Sequence, residues 1–252
     1  MDSKPKTAAA LAAALLWASA QATEVKVLTA GAFKPVLLAL VPAFEQSTGH
    51  KVTLENDTAG ALQRRIAAGE AFDVGVLGPG AIEQFIKAGK MAPGGPTRLA
   101  RVAIGVAVKQ GAPLPDISSV AAFQRALLAA RAVATIDPAS GGSSGIYLWQ
   151  WFEKAGIAAQ LRPKAVLVNG GLVAPKLLTG EADLVLHQIS EILPVAGVTL
   201  VGPIPAEIQN YTVYAAGISA TARDAGAAQA LVDWLASPRA LAVLKDKGME
   251  AP

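Results

Sequence analysis

Between Val25 and Ala88 the chain repeats one short pattern three times: an apolar strand, a loop of small residues, then a helical stretch. Val25 to Thr29 alternates in polarity, Ala30-Gly31-Ala32 follows, and Val36, Leu37, Leu40, Val41 and Phe44 share one helical face up to Gly49. Pro35 suits the first turn of that helix, and Pro42 inside it predicts a kink. Lys51 to Glu55 begins the second round, in which Asn56-Asp57-Thr58-Ala59-Gly60 opens a helix over 61–68 stopped by Gly69. Asp73 to Leu77, Gly78-Pro79-Gly80 and a helix over 81–88 make the third. Such alternation predicts an α/β sheet that binds at the carboxyl ends of its strands.

The most suggestive single stretch runs from Thr135 to Tyr147. A β-branched run from Ala132 to Ile136 reads as a strand. Asp137-Pro138 stops it, six small residues follow, and a helix resumes at Ile146 and runs towards Gly156. A strand leading through Ser and Gly into a helix makes an anion site, because the helix start offers unpaired N–H groups and a positive dipole end. Ser140, Ser143 and Ser144 would add hydroxyls. The alternative is a plain loop with Ser144 as N-cap. No Lys follows the glycines and no GxGxxG occurs, which argues against nucleotide binding.

Other classes fall away on composition. There is no Cys, so thiol chemistry and Cys-based metal sites are excluded, and His50 and His187 lack ligand spacing. The net charge of +3 is spread without a basic block, so no nucleic-acid partner is expected. Lys4 and Lys6, the apolar run from Ala8 to Trp17 and Ala18-Ser19-Ala20 read as a cleavable signal peptide over residues 1–20, which predicts a periplasmic protein without stable membrane insertion.

Arg98 to Lys109 reads as one long apolar strand, and Tyr211 to Ile218 mirrors it. Between them the rhythm restarts: a helix over 120–130 capped by Ser118 or Ser119, the stretch above, a strand over 165–168, a helix over 172–178, and strands over 184–186 and 198–201. Helices over 225–236 and 238–247 close the chain. Two lobes are predicted, 21–103 plus 212–252 and 104–211, joined by the two crossing strands.

Together, "FKPVLLALVPAFEQSTG", "DTAGALQRRIAAGEAFDVGVLG" and "DPASGGSSGIYLWQWFEKAG" resemble the type II periplasmic solute-binding proteins across essentially the whole chain after residue 20, with the molybdate-binding branch as the nearest well-known relatives. The resemblance implies a two-lobed α/β fold, a small anion held by loop hydroxyls and backbone N–H groups, and delivery to an ABC-type permease. The chain departs from the molybdate pattern. Its first loop has Thr29-Ala30-Gly31-Ala32 where a Ser is usual, its second offers only Thr58, and His187-Gln188 replace a Tyr. Those departures resemble a divergent branch that includes aconitate isomerase, which implies as an alternative the interconversion of cis and trans forms of an unsaturated tricarboxylate. The leading reading is thus capture of an organic di- or tricarboxylate for ABC-type uptake, and a molybdate or tungstate receptor is the third.

Ligand contacts are therefore expected at Ala30, Gly31 and Ala32, at Thr58, Ala59 and Gly60, and at Ser140, Ser143 and Ser144. Asn169, Gln188 and Ser190 are further donors, and Tyr147 either caps the cleft or packs in the core. His187 and Glu191 are the bases if chemistry occurs. Otherwise His187 is structural and Glu191 complements a helix dipole. Arg64 and Arg65 read as a helix face, Trp149 and Trp151 as core, and Asp73 as structural. Neither metal nor cofactor is called for, and a monomer is expected.

Overall fold

A computed structural model describes residues 22–252, so the signal peptide expected over 1–20 lies outside the described residues. β1 (Glu24–Ala30) passes through a single 3-10 turn into α1 (Lys34–Thr48), which ends where Gly49 takes a φ of 78°. α1 is one element through Pro42, with Val36, Leu37, Leu40, Val41 and Phe44 buried. β2 (Lys51–Asp57), α2 (Ala59–Ala67), β3 (Val74–Leu77) and α3 (Pro79–Lys87) complete the repeats.

The run read as a single strand, Arg98 to Lys109, is two: β4 (Thr97–Val102) and β5 (Ile104–Lys109). They separate at Ala103 because the Gln209 side chain takes both backbone groups of Ile104, Oε1 accepting from its N–H and Nε2 donating to its carbonyl, each at 2.9 Å. Then come α4 (Val120–Ala129), β6 (Val133–Ile136), α5 (Ser143–Lys154), a short α6 (Ala158–Leu161) that the sequence pattern did not predict, and β7 (Ala165–Val168). α7 (Pro175–Leu178), β8 (Leu184–Gln188), α8 (Ile189–Ile192), β9 (Val198–Pro203), β10 (Thr212–Ile218), α9 (Ala225–Leu235) and α10 (Pro238–Asp246) follow.

Two five-stranded sheets result, ordered β2-β1-β3-β10-β4 and β7-β6-β8-β5-β9. The consecutive strands β4 and β5 lie in different sheets, and the chain returns from β9 to β10, so two crossings join the lobes. The first sheet has apolar cores on both faces: one around Phe33, Phe44 and Leu231, the other around Leu62, Phe72 and Ile82. The second is likewise packed on two sides, by Phe123, Leu148 and Phe152 and by Val173, Leu177 and Ile192.

α5 starts earlier than its apolar spacing predicts, at Ser143 rather than Ile146, and its N-cap is Gly142, not Ser144. The reason is contact with β6. A Cβ on Gly145 would lie 2.2 Å from the Ile136 carbonyl oxygen, and one on Gly142 would lie 2.2 Å from Ile136 Cγ2. Bare glycines let the helix start sit directly on the strand end. Gly145→Ala is therefore expected to lower stability by about 1–3 kcal/mol, the usual cost of overpacking. Urea unfolding measures it, and an unchanged midpoint would contradict this close approach.

Candidate functional site

The ends of β1, β2, β6 and β8 border a small cavity between the two sheets. Its volume is about 40 Å³, above the roughly 10–15 Å³ that a single water requires. α2 and α5 both begin on its wall, at Thr58-Ala59 and at Gly142-Ser143-Ser144. Helix starts bring N–H groups with no carbonyl one turn behind them and a positive dipole end, although in α2 the Gly60 N–H already goes to the Gly141 carbonyl and the Ala61 N–H to Thr58 Oγ1. No lysine or arginine lines it. An anion here would be held by hydrogen bonds and dipoles alone.

β8 runs straight into α8, which brings His187 at the end of the strand and Glu191 in the first turn of the helix together on the cavity, Nε2 to Oε2 at 3.2 Å. They are 1% and 8% exposed. Burial pushes the Glu191 carboxyl up to about 8 and the His187 imidazole down to about 3. The distance would equally suit an ion pair. Burial opposes both charges, however, and no cation lines the cavity, so the environment favours the neutral forms of both groups.

The other Glu191 oxygen, Oε1, lies over the bare Cα of Gly31, 2.7 Å from where a Cβ would stand. Gly31 is thus required by the carboxyl above it and not by a left-handed φ. His187 Nδ1 and Gln188 Oε1 are buried without partners. Buried polar atoms seldom lack a partner, so both are natural contacts for a ligand. Gln188 Nε2 donates to Thr212 Oγ1 at 2.8 Å and to Ser143 Oγ at 3.2 Å.

Backbone and side-chain contacts hold the lobes closed beside the cavity. Thr58 Oγ1 donates to the Ser140 carbonyl at 2.5 Å, Gly60 N–H to the Gly141 carbonyl at 3.0 Å, and Ser190 Oγ to the Ala32 carbonyl at 2.8 Å. Gly60 and Gly141 are so close that a Cβ on either would come within 2.8 Å of the other's Cα.

Of the residues the sequence singled out, Ala30, Gly31 and Ala32 line the cavity, as do Thr58 and Ala59, Ser143 and Ser144, and the group His187, Gln188 and Glu191. Five lie elsewhere. Gly60, Ser140 and Ser190 make the contacts between lobes, and Ser140 Oγ donates to the Asp137 carbonyl at 2.7 Å. Tyr147 donates to the Ile208 carbonyl at 2.7 Å. Asn169 is exposed. Neither Arg64 nor Arg65 reaches the cavity: Arg64 is exposed, and Arg65 is taken by Glu55 and Glu70.

Sequence reasoning missed the contribution of β10. Tyr214 lines the cavity from that strand, and Thr212 binds Gln188. The available signal was a Thr and a Tyr two apart in an apolar run, which puts both on one face. Among the described residues no group of three or more His, Cys, Asp or Glu is placed to hold a metal ion, and no helix is long and apolar enough to cross a membrane.

Comparison with known proteins places this geometry in context. A family model described as bacterial extracellular solute-binding protein matches residues 25–250. An aconitate isomerase from Pseudomonas sp. is 32% identical over 95% of this chain and 92% of its own length. The molybdate-binding protein ModA of Azotobacter vinelandii is 28% identical over 95% of this chain and 94% of its own. A solved periplasmic molybdate-binding protein from that organism superposes with a TM-score of 0.76 at 22% identity, covering 90% of this chain and 99% of that one.

Proposed function

The chain belongs to the bacterial extracellular solute-binding protein family, and we propose that it is a periplasmic isomerase interconverting cis- and trans-aconitate. The supporting observation is the buried His187–Glu191 pair on the cavity wall. An ionised carboxyl facing an anion would repel it, so a simple receptor has little use for one that titrates near neutrality. A proton-transfer enzyme needs one, with its pKa raised towards neutrality. The relative named aconitate isomerase supports the substrate.

In this reading Glu191 is the base and His187 positions it. Ionised Glu191 takes a proton from the substrate's methylene carbon. The C–H electron pair spreads over the three-carbon allylic unit into the adjoining carboxylate. The protonated carboxyl then returns its proton to the far carbon, and the double bond has moved with no other reactant consumed. N–H groups at the starts of α2 and α5 hold the substrate's carboxylates.

Proton NMR of the protein with excess cis-aconitate tests this directly. Growth of trans-isomer signals above a protein-free blank is expected, with turnover much reduced in His187→Ala while ligand binding falls only modestly. A static spectrum would sink the isomerase.

A second reading is capture of an organic di- or tricarboxylate for an ABC-type permease, favoured by the wall of helix starts and by the contacts that hold the lobes together. It predicts ligand lines that broaden without conversion. A molybdate or tungstate receptor is less favoured, because the first loop is Ala30-Gly31-Ala32 and the second offers only Thr58 as a hydroxyl donor. That reading predicts stabilisation by molybdate and none by carboxylates, a linkage shift of about 2.7 kcal/mol at a hundredfold excess over Kd.

A further inference from the structure

We propose that Tyr214 is a second catalytic residue of this site, its phenol O–H donating to the oxyanion that develops on the substrate as the proton leaves carbon. This role rests on the isomerase reading above. Tyr214 reaches the cavity from β10, although it is only 3% exposed. Thr212, on the same face of the strand, is tied to Gln188 and Ser143. The register of β10 against β4 shifts between Tyr214 and Ala215, an irregularity of the kind that re-aims side chains beside active sites.

The Tyr214 ring leans on Phe33 with centroids 6.1 Å apart, which fixes the direction of the phenol. Its polar neighbours are the Ser143 hydroxyl and the Glu191 carboxyl. Burial first, and Glu191 second, push the phenol well above its ordinary value, so it stays protonated while Glu191 titrates. The cavity has no cationic side chain, so charge growing on the substrate has only hydrogen-bond donors to meet it. A donor that keeps its proton, beside a base that exchanges one, is suited to stabilise the intermediate's extra charge.

Tyr214→Phe removes the hydroxyl and keeps the ring against Phe33. Turnover of cis-aconitate should fall about 10²–10³-fold in kcat, with KM changed less than about threefold and the thermal midpoint near that of the parent. A nitronate analogue of the substrate carbanion should bind the parent more tightly than the matching carboxylate, and this preference should vanish in Tyr214→Phe. An active parent with undiminished kcat in the variant would overturn the role of Tyr214 alone. So would equal losses of nitronate and carboxylate binding. An inactive parent that shows no preference for the nitronate would overturn the isomerase reading and this role together.

Discussion

Glu191→Gln is expected to slow the proposed isomerisation about 10²–10⁴-fold while making the protein more stable in alkaline solution. Glutamine keeps the shape and can still bond His187, but it cannot carry a proton from one carbon to another, and losing a positioned base costs about 10²–10⁴-fold. The parent's kcat should rise with pH, reach half its plateau near 8, where half of the buried carboxyl is ionised, and level off above about 9.

Stability runs the other way. The folded protein holds a proton on Glu191 up to about 8, whereas the unfolded chain releases it near the ordinary value of 4.5. The native state therefore binds more protons across that interval, and stability falls as pH rises through it. His187 acts with opposite sign at the acid end. Held down to about 3 against an ordinary 6.5, it costs stability as pH falls below 6.5. That loss is shared by parent and variant, so the difference between their thermal midpoints isolates Glu191. The gap should widen from about pH 5 to about pH 9. A constant gap would mean that the carboxyl is ionised throughout.

Gly60→Ala is expected to hold the lobes apart. The new Cβ would stand 2.8 Å from Gly141 Cα, and ordinary carbon contact is about 3.5–4.0 Å, so the loops must separate by about 1 Å. The Gly60 N–H bond to Gly141 would go with that separation. A displacement of this size in a site that depends on position costs about 10²-fold in kcat/KM. The folding of the first lobe should not suffer. Position 60 is in the first turn of α2 and has no left-handed φ, so alanine fits its backbone. Reduced turnover or affinity, a larger radius of gyration in small-angle scattering, and a thermal midpoint no lower than the parent's form the expected set. A variant that binds and closes like the parent would show that the contact is dispensable.

The three opening repeats were legible because their period changes from two to 3.6 at residues that punctuate backbone, and Gly49 and Gly69 both take the positive φ that their positions as helix stops require. The Thr135–Tyr147 loop was legible for a similar reason, since only small residues separate its strand from its helix. Where that helix starts was not, because the choice is made by Gly145 lying against Ile136, a tertiary contact that overrides the weak helix preference of the two serines. The division of the first crossing run at Ala103 was also hidden, since Gln209, far along the chain, imposes it. His187 and Glu191 stood out as titratable residues at a strand end. Their mutual contact and their burial depend on how deeply α8 sits between the lobes. Tyr214 was masked by its own neighbours, because an apolar strand reads as core whatever one of its side chains does.

The contact between Gly60 and Gly141 joins main chain to main chain, and such a fastening holds no information about what lies behind it. Side chains around the enclosure can be exchanged, one anion for another or a passive wall for a reactive one, while the closing movement stays the same. Capture and chemistry then become separable properties of one framework, and a carrier can turn into a catalyst by a few replacements without having to reinvent how it shuts.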